Sequence, residues 1–468
     1  MDVSIVGAGP VGLTIANLLA LRGHSVEVFE KQQEAYNLPR AIHFDGEAMR
    51  VFQSTGLADD VLKGTLVGKG MLFKDASDNV LIDWSRGQEI GPMGWHESYR
   101  FHQPSVEETL ANGLKQFGNV TLRRGVEVTG VSQDERSVTL TLADGSQKTS
   151  KYVVAADGTN STLRHLLGIE TEDLGFDERW VVVDALLKKP RPDLGDYSVQ
   201  FCDPISPATY VRGLDNRRRW EMRWAGGKGE ADRPSKDELW GMLARWITPD
   251  DADLERDAVY QFRSAIAEKW KSGRVFLAGD AAHSMPPFMG QGMCAGIRDA
   301  ANLSWKLSAV LSGAKNDLLD SYANERAVNV RQFIDMTMRL GRLINQTGAG
   351  KAPSGQMKSI WPSLGEGIGM RDEIAGHLVA QPTFDGVLTD TASKHGFYVL
   401  ADQDFDAEIP GYTTGKEWLR EKGVFAVLVR PDGYALAHAG NLIDAKKMVR
   451  DWQELAACVP KVTYPIQA

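Results

Sequence analysis

Arg274-Val-Phe-Leu-Ala-Gly-Asp280-Ala-Ala-His283, followed by Pro286-Pro287-Phe-Met-Gly290-Gln-Gly292-Met293 and an amphipathic run over residues 295–311, decides the fold of this chain. An apolar strand ends in an acid, a proline-bent loop follows, and glycines open a helix. At the other end of the sequence Gly7-x-Gly9-x-x-Gly12 stands between an apolar strand, residues 3–6, and a helix-period run, residues 11–21. Such a triplet gives a tight turn, close approach of backbone to a pyrophosphate and close packing of helix on strand. Both ends therefore point to one sheet and to one ligand long enough to join them.

Outward from these stretches, residues 25–30 read as a second strand closed by Glu30, an acid placed to accept hydrogen bonds from an adenosine ribose. Residues 120–157 alternate apolar and polar, turn at Ala143-Asp-Gly145 and lead to a buried strand over 152–156. Longer alternating strands follow, including 209–213 and 219–224, with a helical stretch at 236–246, so an antiparallel sheet domain is inserted into the first. After a helical run over 323–343 comes a breaker-rich linker. Strands at 397–400 and 425–429, Pro431-Asp-Gly433 and a helix at 445–455 make a small α/β appendage. The expected division is 1–175 with 265–345, 176–264, a linker at 346–356, and 357–468.

Of 468 residues, 43% are hydrophobic and 25% charged, the balance of a globular chain; a net charge of -9 argues against a nucleic-acid surface. Arg217-Arg218-Arg219, preceded by Asp215 and Asn216, reads as a solvated turn between strands. Cys202, Cys294 and Cys458 are few, odd in number and without metal-ligand spacing, which predicts no metal site and a reducing, cytoplasmic location. The first strand starts too early for a signal peptide, and no apolar run has membrane-spanning length.

Arg40 and Gln103 are read either as ligands of phosphate and dinucleotide or as surface residues, and Asp157-Gly158 either as part of the site or as a plain turn. Asp280 is aimed at cofactor hydroxyls. Gly290, Gly292 and Met293 offer backbone N–H groups at a helix start, where negative charge on a bound cofactor would be stabilised. His283 and Cys294 are expected to be structural.

Together these stretches resemble the single-component FAD-dependent aromatic hydroxylases, the para-hydroxybenzoate and phenol hydroxylase group, over residues 1–345. Pro39-Arg40-Ala-Ile-His43-Phe-Asp45-Gly-Glu-Ala-Met and Gly290-Gln-Gly-Met-Cys294-Ala-Gly-Ile-Arg-Asp-Ala-Ala-Asn-Leu look most like 3-(3-hydroxyphenyl)propionate hydroxylases. The resemblance implies an α/β fold: a Rossmann-like, GR2-type FAD domain, an inserted substrate sheet, and a C-terminal thioredoxin-like remnant. It implies that Gly7, Gly9, Pro10, Val11, Gly12, Glu30, Lys31, Arg40, Gln103, Val126, Asp157 and Asp280 hold FAD. Pro287, Gly290, Gly292 and Met293 would border the isoalloxazine. The implied reaction is NAD(P)H- and O2-dependent hydroxylation of a phenolic or other activated aromatic compound through a flavin C4a-hydroperoxide.

A phenol attacks better once deprotonated, and His43 is the first candidate for the base, although a lone histidine is commonly structural. Phenol hydroxylases often carry an aspartate where this chain has Ile42. Tyr210 and Arg212 share one face of a strand. If that face looks into the cleft, they bind a substrate hydroxyl and carboxylate; otherwise they are surface residues. The C-terminal unit resembles its relatives through Leu428-Val-Arg-Pro-Asp-Gly-Tyr434 and lacks Cys-x-x-Cys, so it is expected to be structural or to form a homodimer. Competing readings are a flavin reductase, a halogenase, for which the Trp-x-Trp-x-Ile-Pro segment is missing, or a non-enzymatic flavoprotein binding module.

Overall fold

Residues Val3–Val6 are buried at every position because the strand has neighbours on both sides. It pairs in parallel with Val26–Glu30 on one side and Tyr152–Ala155 on the other. The computed structural model describes residues 1–35, 40–226, 233–346, 355–462 and 464. Across this six-stranded sheet the order is Lys271–Ser272, Val275–Leu277, Tyr152–Ala155, Val3–Val6, Val26–Glu30 and Val120–Arg124. The chain builds outward on one side of Val3–Val6 and later returns on the other. A switch of this kind leaves a crevice beyond the carboxyl ends of the strands. Helices Pro10–Ala20 and Gly292–Leu311 pack against one another on this sheet.

The second sheet has nine strands in the order His283–Ser284, Ala252–Ala267, Thr171–Leu187, Arg217–Arg223, Ala208–Arg212, Ser198–Cys202, Gly70–Asp75, Val80–Ser85 and Gly355–Gln356. It is wider than the expected insertion, because the hairpin Gly70–Asp75 and Val80–Ser85 joins it from the N-terminal part and Ser198–Cys202 accepts it in parallel. The expected antiparallel sheet is therefore mixed. Period-two alternation gives it two unlike faces. Val183, Phe201, Tyr210, Trp220 and Met222 pack beneath helix Lys236–Leu243. Phe73, Trp84, Trp180 and Cys202 face Phe288, Met289, Leu340 and Ile344.

The arginine triplet is not a solvated turn. The turn ends one residue earlier, with Asp215 in the left-handed region at φ 46, and Arg217 already begins a strand. Arg218 and Arg219 are buried, and Arg219 donates to Asp184 at 2.7 Å and to the Arg40 carbonyl at 2.6 Å.

A third, three-stranded sheet orders His43–Asp45, Ser98–Phe101 and Thr65–Val67. Of the expected linker, residues 347–354 lie outside the described residues, as does Pro39. The C-terminal unit is a four-stranded sheet, ordered Gly411–Tyr412, Tyr398–Ala401, Ala426–Val429 and Ala435–Ala439, with helix Leu442–Ala457. Its core continues onto Trp305 and Ala309 of the long helix Gly292–Leu311. Among the described residues no helix is long and apolar enough to cross a membrane, and no three His, Cys, Asp or Glu are grouped to hold a metal ion.

Candidate functional site

The crevice begins at the glycine turn. Gly7 N–H donates to the Phe29 carbonyl at 2.8 Å, and Ala8 N–H donates to the Glu30 carboxylate at 2.9 Å, so the acid and the turn are locked together. Beyond Gly9 there is open space: a Cβ there would meet nothing within 4 Å. Val126 N–H donates to the Glu30 carbonyl at 2.9 Å, which brings Val126 and the exposed Lys31 to the same edge. Gln103 is buried and its side chain is engaged with protein. Its carbonyl oxygen accepts from Arg40 N–H at 2.9 Å and Ala41 N–H at 2.6 Å, while its amide donates to Glu107 at 2.6 Å. It shapes the turn that presents Arg40.

Asp157, two residues beyond the end of strand Tyr152–Ala155, has one carboxylate oxygen on Leu163 N–H at 3.2 Å and the other buried without a partner. Arg164 reaches over to the carbonyls of Ala281 at 2.9 Å and Thr159 at 2.7 Å, tying this turn to the turn at Asp280. Asp280 opens to the crevice. The crevice walls around the carboxyl push its pKa up, a rise that the charges of His283 and Arg40 partly offset. Residues that sequence inspection passed over hold this loop. Asp299, fully buried, accepts from Gly279 N–H at 3.0 Å, His283 at 2.7 Å and Arg326 at 2.8 Å. His283 is thus structural, and Cys294, buried, lies with its sulfur 3.8 Å from the Gly290 carbonyl.

Pro287–Met289 form a single 3-10 turn that ends at Gly290, with φ 63, before the helix Gly292–Leu311. The first backbone N–H groups of that helix have no intrahelical acceptor and face outward from a positive dipole end. His43 stands beside this turn: a Cβ on Gly290 would lie 2.9 Å from its Nδ1, which is 3.5 Å from the Gly290 carbonyl. Burial depresses the His43 pKa well below that of free imidazole. Arg100 and Arg86 press it further down, while Asp45 and the Gly290 carbonyl pull the other way. Asp45 is itself held by Arg298. His43 is therefore neutral at physiological pH.

Tyr210 and Arg212 do share a face, but the cleft-facing alternative is corrected by the structure. Tyr210 is 2% exposed, its ring tilted against Trp220 with centroids 5.4 Å apart in the cluster beneath helix Lys236–Leu243. That face lies opposite the one packed on Phe288 and Met289. Arg212 donates back to the carbonyls of Gly213 and Asp215 in its own turn.

FAD fits these residues. The unpartnered Asp157 oxygen, the space beyond Gly9 and the open Asp280 mark a path from Glu30 to the 287–293 loop. Glu30 would take the ribose, the glycine turn and Arg40 the pyrophosphate, Asp280 the ribityl chain and the 290–293 backbone the ring. Asp280→Ala should raise the FAD dissociation constant about 10- to 100-fold, the worth of a hydrogen bond to a charged group. Flavin fluorescence titration measures this, and an unchanged constant removes Asp280 from the site.

A crevice that would take a phosphate at its glycine turn and a flat ring at the 287–293 loop is the site of a flavoenzyme. The family model described as FAD binding domain matches residues 1–337. The "Probable NADH-specific resorcinol 4-hydroxylase" of Rhodococcus jostii (strain RHA1) is 35% identical, covering 99% of this chain and 96% of that protein. The 3-(3-hydroxy-phenyl)propionate/3-hydroxycinnamic acid hydroxylase of Mycobacterium avium (strain 104) is 34% identical over 89% of this chain and 79% of its own length. In fold, the chain matches the flavin-dependent monooxygenase PieE, solved with FAD and substrate, at TM-score 0.82 and 20% identity, covering 98% of this chain and 99% of that one. The chain belongs to the FAD-binding family and, within it, to the single-component FAD-dependent aromatic hydroxylases, monooxygenases of phenolic compounds.

Proposed function

We propose that the substrate is a small phenol of the resorcinol type and that the reductant is NADH. The observation that carries this reading is the neutral His43 ring seated against Gly290, where a phenol over the flavin ring would present its hydroxyl. Likeness to a resorcinol hydroxylase over nearly the whole of both chains supports it.

Bound FAD supplies the redox and oxygen chemistry that no side chain provides. The residues of this chain position and shield. The start of helix Gly292–Leu311 stabilises negative charge, and the apolar group Phe73, Trp180, Phe288 and Met289 excludes water on the sheet side. His43 accepts the hydrogen bond of the phenol hydroxyl. Because burial, with Arg100 and Arg86, disfavours an imidazolium there, the proton passes on to solvent. One oxygen atom enters the ring, the other leaves as water, and NADH provides two electrons.

The test is aerobic NADH oxidation with resorcinol and 3-(3-hydroxyphenyl)propionate, with product analysis. Stimulation with a hydroxylated product supports the reading; an unstimulated rate with every phenol sinks it. His43→Ala should release more peroxide per NADH consumed, and unchanged coupling would remove His43 from the role. The same reading takes the C-terminal unit as a thioredoxin-like remnant and the protein as a cytoplasmic homodimer. The three free cysteines support that compartment, and sedimentation tests the dimer.

A further inference from the structure

Arg100 lies directly opposite His43 in the antiparallel pair of His43–Asp45 with Ser98–Phe101. Directly opposed residues project from the same face, their Cβ atoms about 4.5–5.5 Å apart. The Arg100 side chain is thus on the side of the small sheet that carries His43. It is 5% exposed, yet among the described residues its Nε has no partner, and its one hydrogen bond there donates to the Gly70 carbonyl at 3.1 Å. Among the described residues it forms no ion pair.

The nearby charges do not compensate it. Asp45 is paired to Arg298, and Glu97 lies 3.9 Å from Arg86. Arg86 and Arg212 add positive charge on the side of the nine-stranded sheet, where the Tyr210 phenol is the neutral titratable neighbour. Burial, with Arg86 and Arg212, lowers Arg100 to about 10, so it remains a cation at neutral pH. A buried guanidinium without a counter-ion is costly, and an anionic oxygen placed beside it relieves that cost.

We infer that Arg100 binds the ionised hydroxyl of the aromatic substrate: the O–H bond breaks, the proton passes by way of the His43 ring to solvent, and the phenolate oxygen sits against the Arg100 guanidinium. The inference rests on the phenol-hydroxylase reading and adds to His43 the cation that holds the phenolate once the proton has gone.

The experiment is difference absorbance of 4-nitrophenol bound to the FAD-loaded enzyme, at a pH where the free probe is mostly protonated. Wild type is expected to bind it as the yellow phenolate. Arg100→Gln should lose that band and weaken binding about 10- to 100-fold, while Arg100→Lys keeps the band. A protonated probe on wild type overturns the inference even if the glutamine variant does not accumulate. So does equal, fully ionised binding by Arg100→Gln, and so does unchanged binding with a shifted flavin potential, which would assign Arg100 to the reduced ring. If wild type binds neither 4-nitrophenol nor resorcinol, the phenol reading falls as well, which separates the two failures.

Discussion

Glu325→Ala should destabilise the protein by about 3–5 kcal/mol, the cost of leaving buried charges without their partner. Glu325 is fully buried on helix Ser321–Gln346 and takes Lys306 at 2.7 Å, Asn302 at 3.0 Å, Arg371 at 2.9 Å, and both terminal nitrogens of Arg430, at 3.0 and 2.8 Å. Arg371 and Arg430 come from the C-terminal unit and Lys306 from helix Gly292–Leu311, so one carboxylate joins three parts of the chain. Arg430 keeps Asp432 at 2.6 Å when Glu325 is removed, but among the described residues Lys306 has no other acid in an ion pair. Lys306, drawn down to about 8 by burial against the pull of Glu325, still carries its proton at neutral pH. Burial alone would raise Glu325, yet Arg430 and Lys306 hold it far below the ordinary carboxylate range. Its contribution is therefore complete above the unfolded carboxylate pKa and disappears as pH falls toward the folded value. Denaturant midpoints should drop on acidification in the wild type and less steeply in Glu325→Ala. Equal midpoints for the two proteins at neutral pH would contradict the assignment.

This junction was hidden in the sequence, because 105 residues separate Glu325 from Arg430 and a lone Glu in an amphipathic run looks solvated. What was legible was local. The glycine triplet, Glu30 and the strand ending at Asp280 each state their geometry within a few residues, and the crevice places them together. His43 was found by residue type, but its contact with Gly290, across 247 residues, is a property of the fold. Alternation paired Tyr210 with Arg212 correctly and could not say which face looks at the flavin loop, since helix Lys236–Leu243 decides that by covering one side. Arg100 was missed because Ser98–Phe101 is short, and a charge inside it reads as an edge residue. The hairpin at residues 70–85 was missed as part of the nine-stranded sheet, because strand pairing over long separations leaves no local mark.

Gly12→Val should yield protein without flavin and with a lowered melting temperature, whereas Gly9→Ala should lose flavin alone. A Cβ on Gly12 would lie 2.0 Å from the Gly7 carbonyl oxygen and 3.3 Å from the Ile5 side chain. The obstacle is backbone, and it cannot retreat, because Gly7 is at φ 105 with its own Cβ position 2.2 Å from the Ala156 oxygen. Helix Pro10–Ala20 must then lift from its sheet, a core disruption that costs about 4 kcal/mol or more. Gly9 differs in kind. Its Cβ would enter empty space, so the apoprotein should fold as before, but that space is the path assigned to the pyrophosphate. Thermal unfolding of the apoproteins, followed by FAD titration, separates the two effects. A Gly9→Ala protein that binds FAD normally would move the pyrophosphate elsewhere, and a Gly12→Val protein that melts like wild type would mean the strand and helix are not packed as closely as the two glycines require.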